Sequence, residues 1–261
     1  MSTYLFEHTW QQERRRLELL QEIFDGGTRD HLTRLPLPAG SSCLEVGAGA
    51  GSVARWLCER VGPGGRVVAT DLDVDFLETL PEENLEVRRH DIVSDALETD
   101  AFDLIHSRLV LEHIPERDRV LRRLVAALRP DGWLVLEDFD WGSLAVAPGC
   151  AAGDLLERAH EGARSLFGAA GYSHYYGRAL PVALAAAGLV DIGAEGRVYV
   201  GAPGSAITSW WKLSVGKFGP AFVETGVLSQ TELEDLLDRF DDPGFYFQLP
   251  TLVTASGRRP P

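Results

Sequence analysis

The sequence predicts an α/β protein in which a mainly parallel sheet lies between layers of helices, and three observations carry that prediction. Short apolar, β-branched runs alternate with stretches of helical periodicity from residue 42 to residue 137. A glycine-rich stretch, Gly47-Ala48-Gly49-Ala50-Gly51, joins the first run to the first helix that follows it. Acids, Asp71 and Asp91, stand at the ends of the next runs, at the carboxyl edge where open α/β sheets bind ligands.

Taken in order, residues 6–24 put Phe6, Trp10, Leu17, Leu20 and Phe24 on one helical face with charges opposite, and Gly26-Gly27 is expected to end that helix. A second helix over 28–35 stops at Pro36-Leu37-Pro38-Ala39-Gly40. The apolar run 42–46 reads as a strand. Val53, Trp56, Leu57 and Val61 then recur at helical spacing until Gly62-Pro63-Gly64-Gly65 closes the helix, and the β-branched run 66–70 completes a βαβ unit. Further units follow: a helix over 74–80, strands over 85–89 and 102–106, a helix over 116–128 and a strand over 133–137. After Asp138 the rhythm changes. Residues 140–176 hold a helix over 151–167 and an aromatic loop, Gly171-Tyr172-Ser173-His174-Tyr175-Tyr176, which reads as an insertion. A helix over 178–187 and a strand over 192–200 resume the core. Residues 203–242 form a second helical insertion, and the last strand falls within 245–256, starting after Pro250 or bulging there.

With 261 residues and 45% hydrophobic content, the chain can bury a full core. Cys43, Cys58 and Cys150 are too few and too scattered for a disulfide framework, and no Cys/His spacing suggests a metal. A net charge of −14 repels phosphate backbones, so nucleic acid is not the expected partner. Polar residues interrupt the first stretch and no run is long enough to span a bilayer, so a cytoplasmic protein without a membrane partner is expected.

The glycine loop alone is compatible with a dinucleotide, with S-adenosylmethionine (SAM) or with a plain tight turn. Its glycines permit positive φ and close approach, and the helix behind it offers N–H groups. Asp71, at the end of the second strand, can accept both ribose hydroxyls of an adenosine ligand, with Leu72 packing an adenine face. Asp91 can accept from an adenine amino group, with helix capping as the alternative use, and Ile92 can line the same slot. Glu45 can bond the loop amides or an amino group, and Ser107 and Arg108 stand at the tip of the fourth strand.

These motifs, with Leu111-Glu112-His113-Ile114 and the Pro130-Asp131-Gly132 turn, resemble the class I SAM-dependent methyltransferases, in particular their bacterial small-molecule and quinone-type branch. The resemblance covers residues 42–138. It implies a Rossmann-like seven-stranded sheet, mostly parallel with an antiparallel last strand. It also implies that Gly47, Gly49 and Gly51 wrap the methionine and ribose parts of SAM, that the acid at Asp71 holds the ribose, and that the one at Asp91 reads adenine. Residues 106–108 would lie beside the methionine end. The GxGxG spacing favours SAM over a nicotinamide cofactor, whose oxidoreductases carry GxGxxG.

The organisation expected is a helical lid (1–40), a SAM-binding core (41–139), a cap insertion (140–177), a return to the core (178–202), a second helical insertion (203–242) and a final core strand (243–261). His106, His113 and His174 are the candidate bases, with His174 and His113 carried forward. Tyr172, Tyr175, Tyr176, Trp210, Trp211 and Phe247 are candidates for an aromatic substrate pocket, and Tyr4 and Trp10 for closing over the cofactor. The expected activity is methyl transfer to a small, hydrophobic or aromatic metabolite, as in secondary metabolism, by in-line displacement. A SAM-binding protein without transfer, or an NAD-dependent oxidoreductase, is the alternative.

Overall fold

The computed structural model describes residues 12–150 and 153–261. Residues 6–11 of the expected N-terminal helix, with Trp10, and Tyr4 before it lie outside the described residues.

Five parallel strands form where the sequence pattern puts them, β1 (Ser42–Val46), β2 (Arg66–Asp71), β3 (Leu85–Arg89), β4 (Phe102–Arg108) and β5 (Leu128–Asp140), but β5 is longer than the expected 133–137 because it takes in the Pro130-Asp131-Gly132 stretch and runs on to Asp140. Residues alternate between faces, so Leu44 and Val46 pack to one side and Cys43 to the other, as the two-residue strand period requires. On the first side lie α3 (Arg117–Ala127), through Val120, Leu121 and Leu124, and α5 (Tyr176–Ala186), through Leu180 and Leu184. On the second lies α2 (Ser52–Val61), through Val53, Leu57 and Val61. Two further strands, β7 (Val190–Arg197) and β10 (Thr251–Arg258), complete a seven-stranded sheet of order β3-β2-β1-β4-β5-β10-β7. The last strand, β10, runs antiparallel to both its neighbours and begins after Pro250.

Three local expectations are corrected. Gly26 and Gly27 do not end the first helix. One helix, α1, runs over Glu13–Thr33, where the separate segments 6–24 and 28–35 were expected. Two interior glycines cost about 1 kcal/mol each in a helix, and tertiary contacts offset this: Phe24 and Thr28 are buried, and a Cβ on Gly27 would stand 2.9 Å from Arg197 Cδ and from Tyr199 Oη. The helix expected over 74–80 is a single 3-10 turn, Leu77–Thr79, held by Leu77 in the core. The strand expected over 192–200 divides into β7 and a two-residue β8 (Val200–Gly201).

That division belongs to a second, small sheet that the sequence reading lacked. It joins β8 with β6 (Ala145–Val146) and β9 (Phe247–Gln248) in the order β6-β9-β8. Since β6 follows β5, β8 follows β7 and β9 precedes β10, this order repeats β5-β10-β7. The small sheet is the edge of the large one continued beyond a crease. Ser143 Oγ meets Thr251 Oγ1 at 2.8 Å and accepts the Thr251 amide at 2.7 Å, Gln248 Nε2 donates to Ser143 O at 2.8 Å, and Leu249 N donates to Tyr199 O at 2.9 Å across that crease. Over it pack α4 (Gly153–Ala169), α6 (Ala206–Glu224) and α7 (Gln230–Arg239), with Phe139, Trp210, Trp211, Phe222, Phe240, Phe245 and Phe247 in one apolar cluster. Among the described residues, no helix is long and apolar enough to cross a membrane.

Candidate functional site

The turn from β1 into α2 is the narrowest point of the site. Gly47, Gly49 and Gly51 have φ of +70°, +55° and +83°, values that L side chains adopt only with strain. The Gly47 and Ala48 amides both donate to Thr70 O, at 2.8 and 3.0 Å, folding the loop back over the end of β2. Gly49 N donates to Asp71 Oδ2 at 2.8 Å. Asp71 therefore fixes the loop while its carboxylate borders the cavity beyond. Gly51 is the N-cap of α2 and offers no side-chain cap, so the first N–H groups of that helix face outward, with Ser52 and Val53 on the cavity wall.

This loop opens onto one continuous cavity of about 650 Å³, within the roughly 300–1,000 Å³ range of sites that enclose small molecules. Its first half carries Glu45, Gly47, Gly49, Asp71, Leu72, Asp91, Ile92 and Arg108; its second half carries Phe139, Trp141, His160, Phe167, Tyr172, Trp210, Trp211, Phe218 and Phe222. Most of the expected cofactor residues thus share a wall. Asp91 also has the structural use foreseen for it: its carboxylate accepts the Val93 amide at 2.8 Å and the Ser94 hydroxyl at 3.0 Å. Each carboxylate oxygen has a second lone pair that this turn leaves for a ligand.

Several expected residues lie elsewhere. Gly51 turns away from the cavity, and a Cβ there would meet Leu80 Cδ1 at 2.5 Å and Leu77 Cδ2 at 2.9 Å, so it serves close packing. Ser107 is buried and donates to Val46 O at 3.1 Å. Tyr175 is 42% exposed beneath Arg178; Tyr176 is buried in the core under Arg117; Phe247 belongs to the small sheet, behind Trp211. None of these borders the cavity. His174 does not border it either: its ring stands behind Tyr172, at 4.7 Å between centroids, and burial lowers it to about 4. His113 does border the cavity, but burial, helped by Arg16, lowers it to about 3, leaving a neutral and weakly basic ring.

His106, the third candidate, is wholly buried between two carboxylates: Nδ1 lies 2.7 Å from Glu45 Oε2 and Nε2 lies 3.3 Å from Glu137 Oε2. Burial opposes its charge, but the Glu45 charge and the hydrogen bonds to Glu137 and Glu45 raise it to about 9, so it is an imidazolium near neutral pH. At Glu45 burial prevails and its carboxyl lies above the ordinary range. At Glu137 burial is outweighed by the bond and charge of His106, with Arg108 and Thr254, and the carboxyl falls to about 2. Thr28 and Thr254 hydroxyls each donate to Glu137 at 2.5 Å, and Arg108 reaches Thr28 Oγ1 at 2.8 Å and Asp25 Oδ1 at 2.9 Å. The network fastens α1 to the strand ends behind the loop, and Ser52 Oγ adds a bond to Asp25 at 3.0 Å.

Sequence reasoning expected a helical lid over residues 1–40 but named no residue of α1 as lining the site. Glu13, Arg16, Leu17, Leu20 and Gln21 line the cavity at helical spacing, a face that i, i+3, i+4 and i+7 periodicity marks. Arg16 donates to Glu13 at 2.6 Å, and Lys217 of α6 reaches the same carboxylate at 3.3 Å. Trp141, stacked on His160 with centroids 5.4 Å apart, and Glu112 were also missed. A charged residue inside the apolar run Leu111-Glu112-His113-Ile114 was the available signal for the latter.

Comparison with known proteins agrees with this geometry. The family model of a methyltransferase domain matches residues 12–193, more than half of the chain. Methyltransferase str2 of Strobilurus tenacellus is 33% identical over 131 residues, covering 48% of this chain and 46% of that protein. Trans-aconitate 2-methyltransferase of Variovorax paradoxus is 34% identical over 110 residues, 41% of each chain. The chain therefore spans about half the length of the curated relatives it matches. Among solved structures, Haemonchus contortus phosphoethanolamine N-methyltransferase 2, in complex with phosphomonomethylethanolamine and S-adenosylhomocysteine, shares the fold. Its TM-score is 0.51 at 18% identity, over 95% of this chain and 53% of that one.

Proposed function

The chain belongs to the class I SAM-dependent methyltransferases, and from that premise we propose that it methylates a small, hydrophobic or aromatic metabolite of the secondary-metabolite kind. The observation that carries this reading is the continuity of the cavity: its polar half, at the strand ends, opens directly into its aromatic half under the cap.

The residues present suit the cofactor. The uncapped N-terminus of α2 and the Asp71 carboxylate form the polar cradle an adenosyl ligand needs. Asp71 would take the ribose hydroxyls, Asp91 and Ile92 the adenine, and Glu45 with Gly47 the methionine portion. When bound, SAM supplies a methyl group already activated by its sulfonium. The protein's contribution is then alignment and exclusion of water. Trp141, Tyr172, Trp210 and Trp211 give the acceptor an apolar wall on which a ring or chain packs. The acidic net charge and the enclosed cap both favour a small acceptor over nucleic acid.

Two measurements test the reading. Calorimetry should give micromolar-range binding of SAM and S-adenosylhomocysteine, lost in Asp71→Ala; unchanged binding in that variant removes the site assignment. Radiolabelled SAM offered with panels of small phenols, enols and amines should then label a product. Persistent binding without label would identify a SAM-binding protein that transfers no methyl group.

A further inference from the structure

One buried carboxyl on the cavity wall takes no part in the cofactor cradle and, unlike Glu13, is not paired with a lysine or arginine. Glu112 is only 2% exposed yet borders the cavity, at the joint between its two halves. Val110, two residues earlier, fills the space where Gly47 lacks a side chain, 2.3 Å from an ideal Cβ. On the other side stand Trp141 and Tyr172. Glu112 Oε2 accepts the Phe139 amide at 2.9 Å, and Oε1 stands 3.7 Å from His113 Nε2. The Tyr172 hydroxyl faces it, itself accepting from Trp141 Nε1 at 2.7 Å. Behind it, Asp138 Oδ1 accepts Glu112's own amide at 3.3 Å. Among the described residues, no lysine or arginine forms a salt bridge with Glu112; Arg117 is within electrostatic range, but its guanidinium donates to the Leu111 and Gly171 carbonyls.

We propose that Glu112 is the proton acceptor of the transfer reaction, and that the arrival of the cofactor's sulfonium converts it from neutral acid to carboxylate. The proposal rests on the SAM reading above. Its geometric ground is that Glu112 occupies the point where the polar cradle ends and the aromatic pocket begins. His113 is too weakly basic to hold the proton and His174 lies outside the wall, so neither competes for the role.

Burial pushes Glu112 up to about 8, against the Tyr172 and Phe139 hydrogen bonds and the Arg117 charge. Asp138 beside it is raised by burial and by the Glu112 and Glu137 charges, so the pair does not ionise together. A cation within about 4–6 Å lowers a carboxyl by about 1–3 pH units, enough to discharge the Glu112 proton to solvent near neutral pH. The reaction then balances. The acceptor's O–H bond breaks and its proton passes to Glu112, the oxygen electron pair forms the O–CH3 bond, and the S–CH3 pair returns to sulfur. A neutral thioether and a neutral Glu112 remain, which is the resting state of the carboxyl. The acceptor class follows: a phenol or enol hydroxyl, which has a proton to surrender.

The test is calorimetric binding of SAM and of S-adenosylhomocysteine near pH 7 in buffers of different ionisation enthalpy. Wild-type protein should release about 0.4–0.9 proton more with SAM than with S-adenosylhomocysteine. In Glu112→Gln that difference should vanish, with S-adenosylhomocysteine affinity changed less than about threefold. Equal release with the two ligands in wild type, or the same excess in Glu112→Gln, overturns the proposal. Should Glu112→Gln not fold, the wild-type profile decides, because the excess must shrink as pH rises through about 8, and an excess that persists well above that pH overturns the proposal. Failure of wild type to bind either ligand would remove the cofactor reading instead, a different outcome from binding with equal release.

Discussion

Replacing His106 by glutamine removes the imidazolium from the buried network that joins β1, β4, β5 and α1. In the folded protein this imidazole is raised from 6.5 to about 9. The gap of roughly 2.5 pH units, at about 1.36 kcal/mol each, makes its protonation worth about 3 kcal/mol of stability. Because the folded value is the higher one, that contribution is complete below pH 6.5 and is lost as pH rises through about 9. Glu137 behaves oppositely. Its folded value near 2 against 4.5 gives a contribution present above pH 4.5 and lost as pH falls through about 2. Urea unfolding followed by tryptophan fluorescence, at about pH 6 and about pH 10, separates the terms. Wild type should lose up to about 3 kcal/mol more than His106→Gln between those conditions: groups outside the network, such as Glu112, contribute to both proteins and cancel, while Glu45 and Glu137, released from the imidazolium, reduce the difference. The variant should also be weaker near neutral pH, by up to about 3–5 kcal/mol, because Glu45 and Glu137 lose the imidazolium between them and keep only Arg108 nearby. Parallel pH profiles for the two proteins would refute the buried imidazolium.

Four further outcomes are expected. Gly51→Ala should destabilise by about 2 kcal/mol or more, from its φ of +83° and the 2.5 Å approach of Leu80 Cδ1. Gly216→Ala, in an exposed helical position with nothing within 4 Å of a new Cβ, should stabilise by about 0.5–1 kcal/mol; thermal unfolding of the pair reads both signs. Trp211→Ala, which opens the cap half of the cavity and removes packing on Trp141 and Trp210, should leave S-adenosylhomocysteine affinity within about threefold while lowering stability by about 3–5 kcal/mol; a large loss of cofactor affinity would show that the two halves are not separable. His174→Gln should leave cofactor binding unchanged by titration calorimetry, since the ring stands behind Tyr172.

The parts of the fold legible in the sequence are those governed by local rules. Strands β1 and β3 have the bounds that their apolar runs announce, and Pro250 sets the start of β10 because it has no N–H to give a ladder. The loop glycines and Asp71 were legible because positive φ and a strand-end carboxylate each have few other uses. What was not legible depends on distant partners. Gly26-Gly27 reads as a helix end until Arg197 and Tyr199 are seen against Gly27. The aromatic loop at 172–176 supplies one cavity residue, Tyr172, because a turn sends its neighbours to the surface and to the core. Glu112 sits in an apolar run whose burial only the finished cavity explains, and the wall formed by α1 requires knowing which way that helix crosses the strand ends.

The crease between the large and small sheets has a mechanical consequence. Because β6, β8 and β9 are prolongations of β5, β7 and β10, and their shared fold line is stitched by Ser143, Thr251, Gln248 and Leu249, the small sheet is cantilevered from the core and does not hang on a hinge. The rest of the aromatic chamber is walled by helices, α1, α4 and α6. Differences in chamber shape between related proteins should accordingly be sought in those helices, while the ledge beneath Trp211 keeps its form.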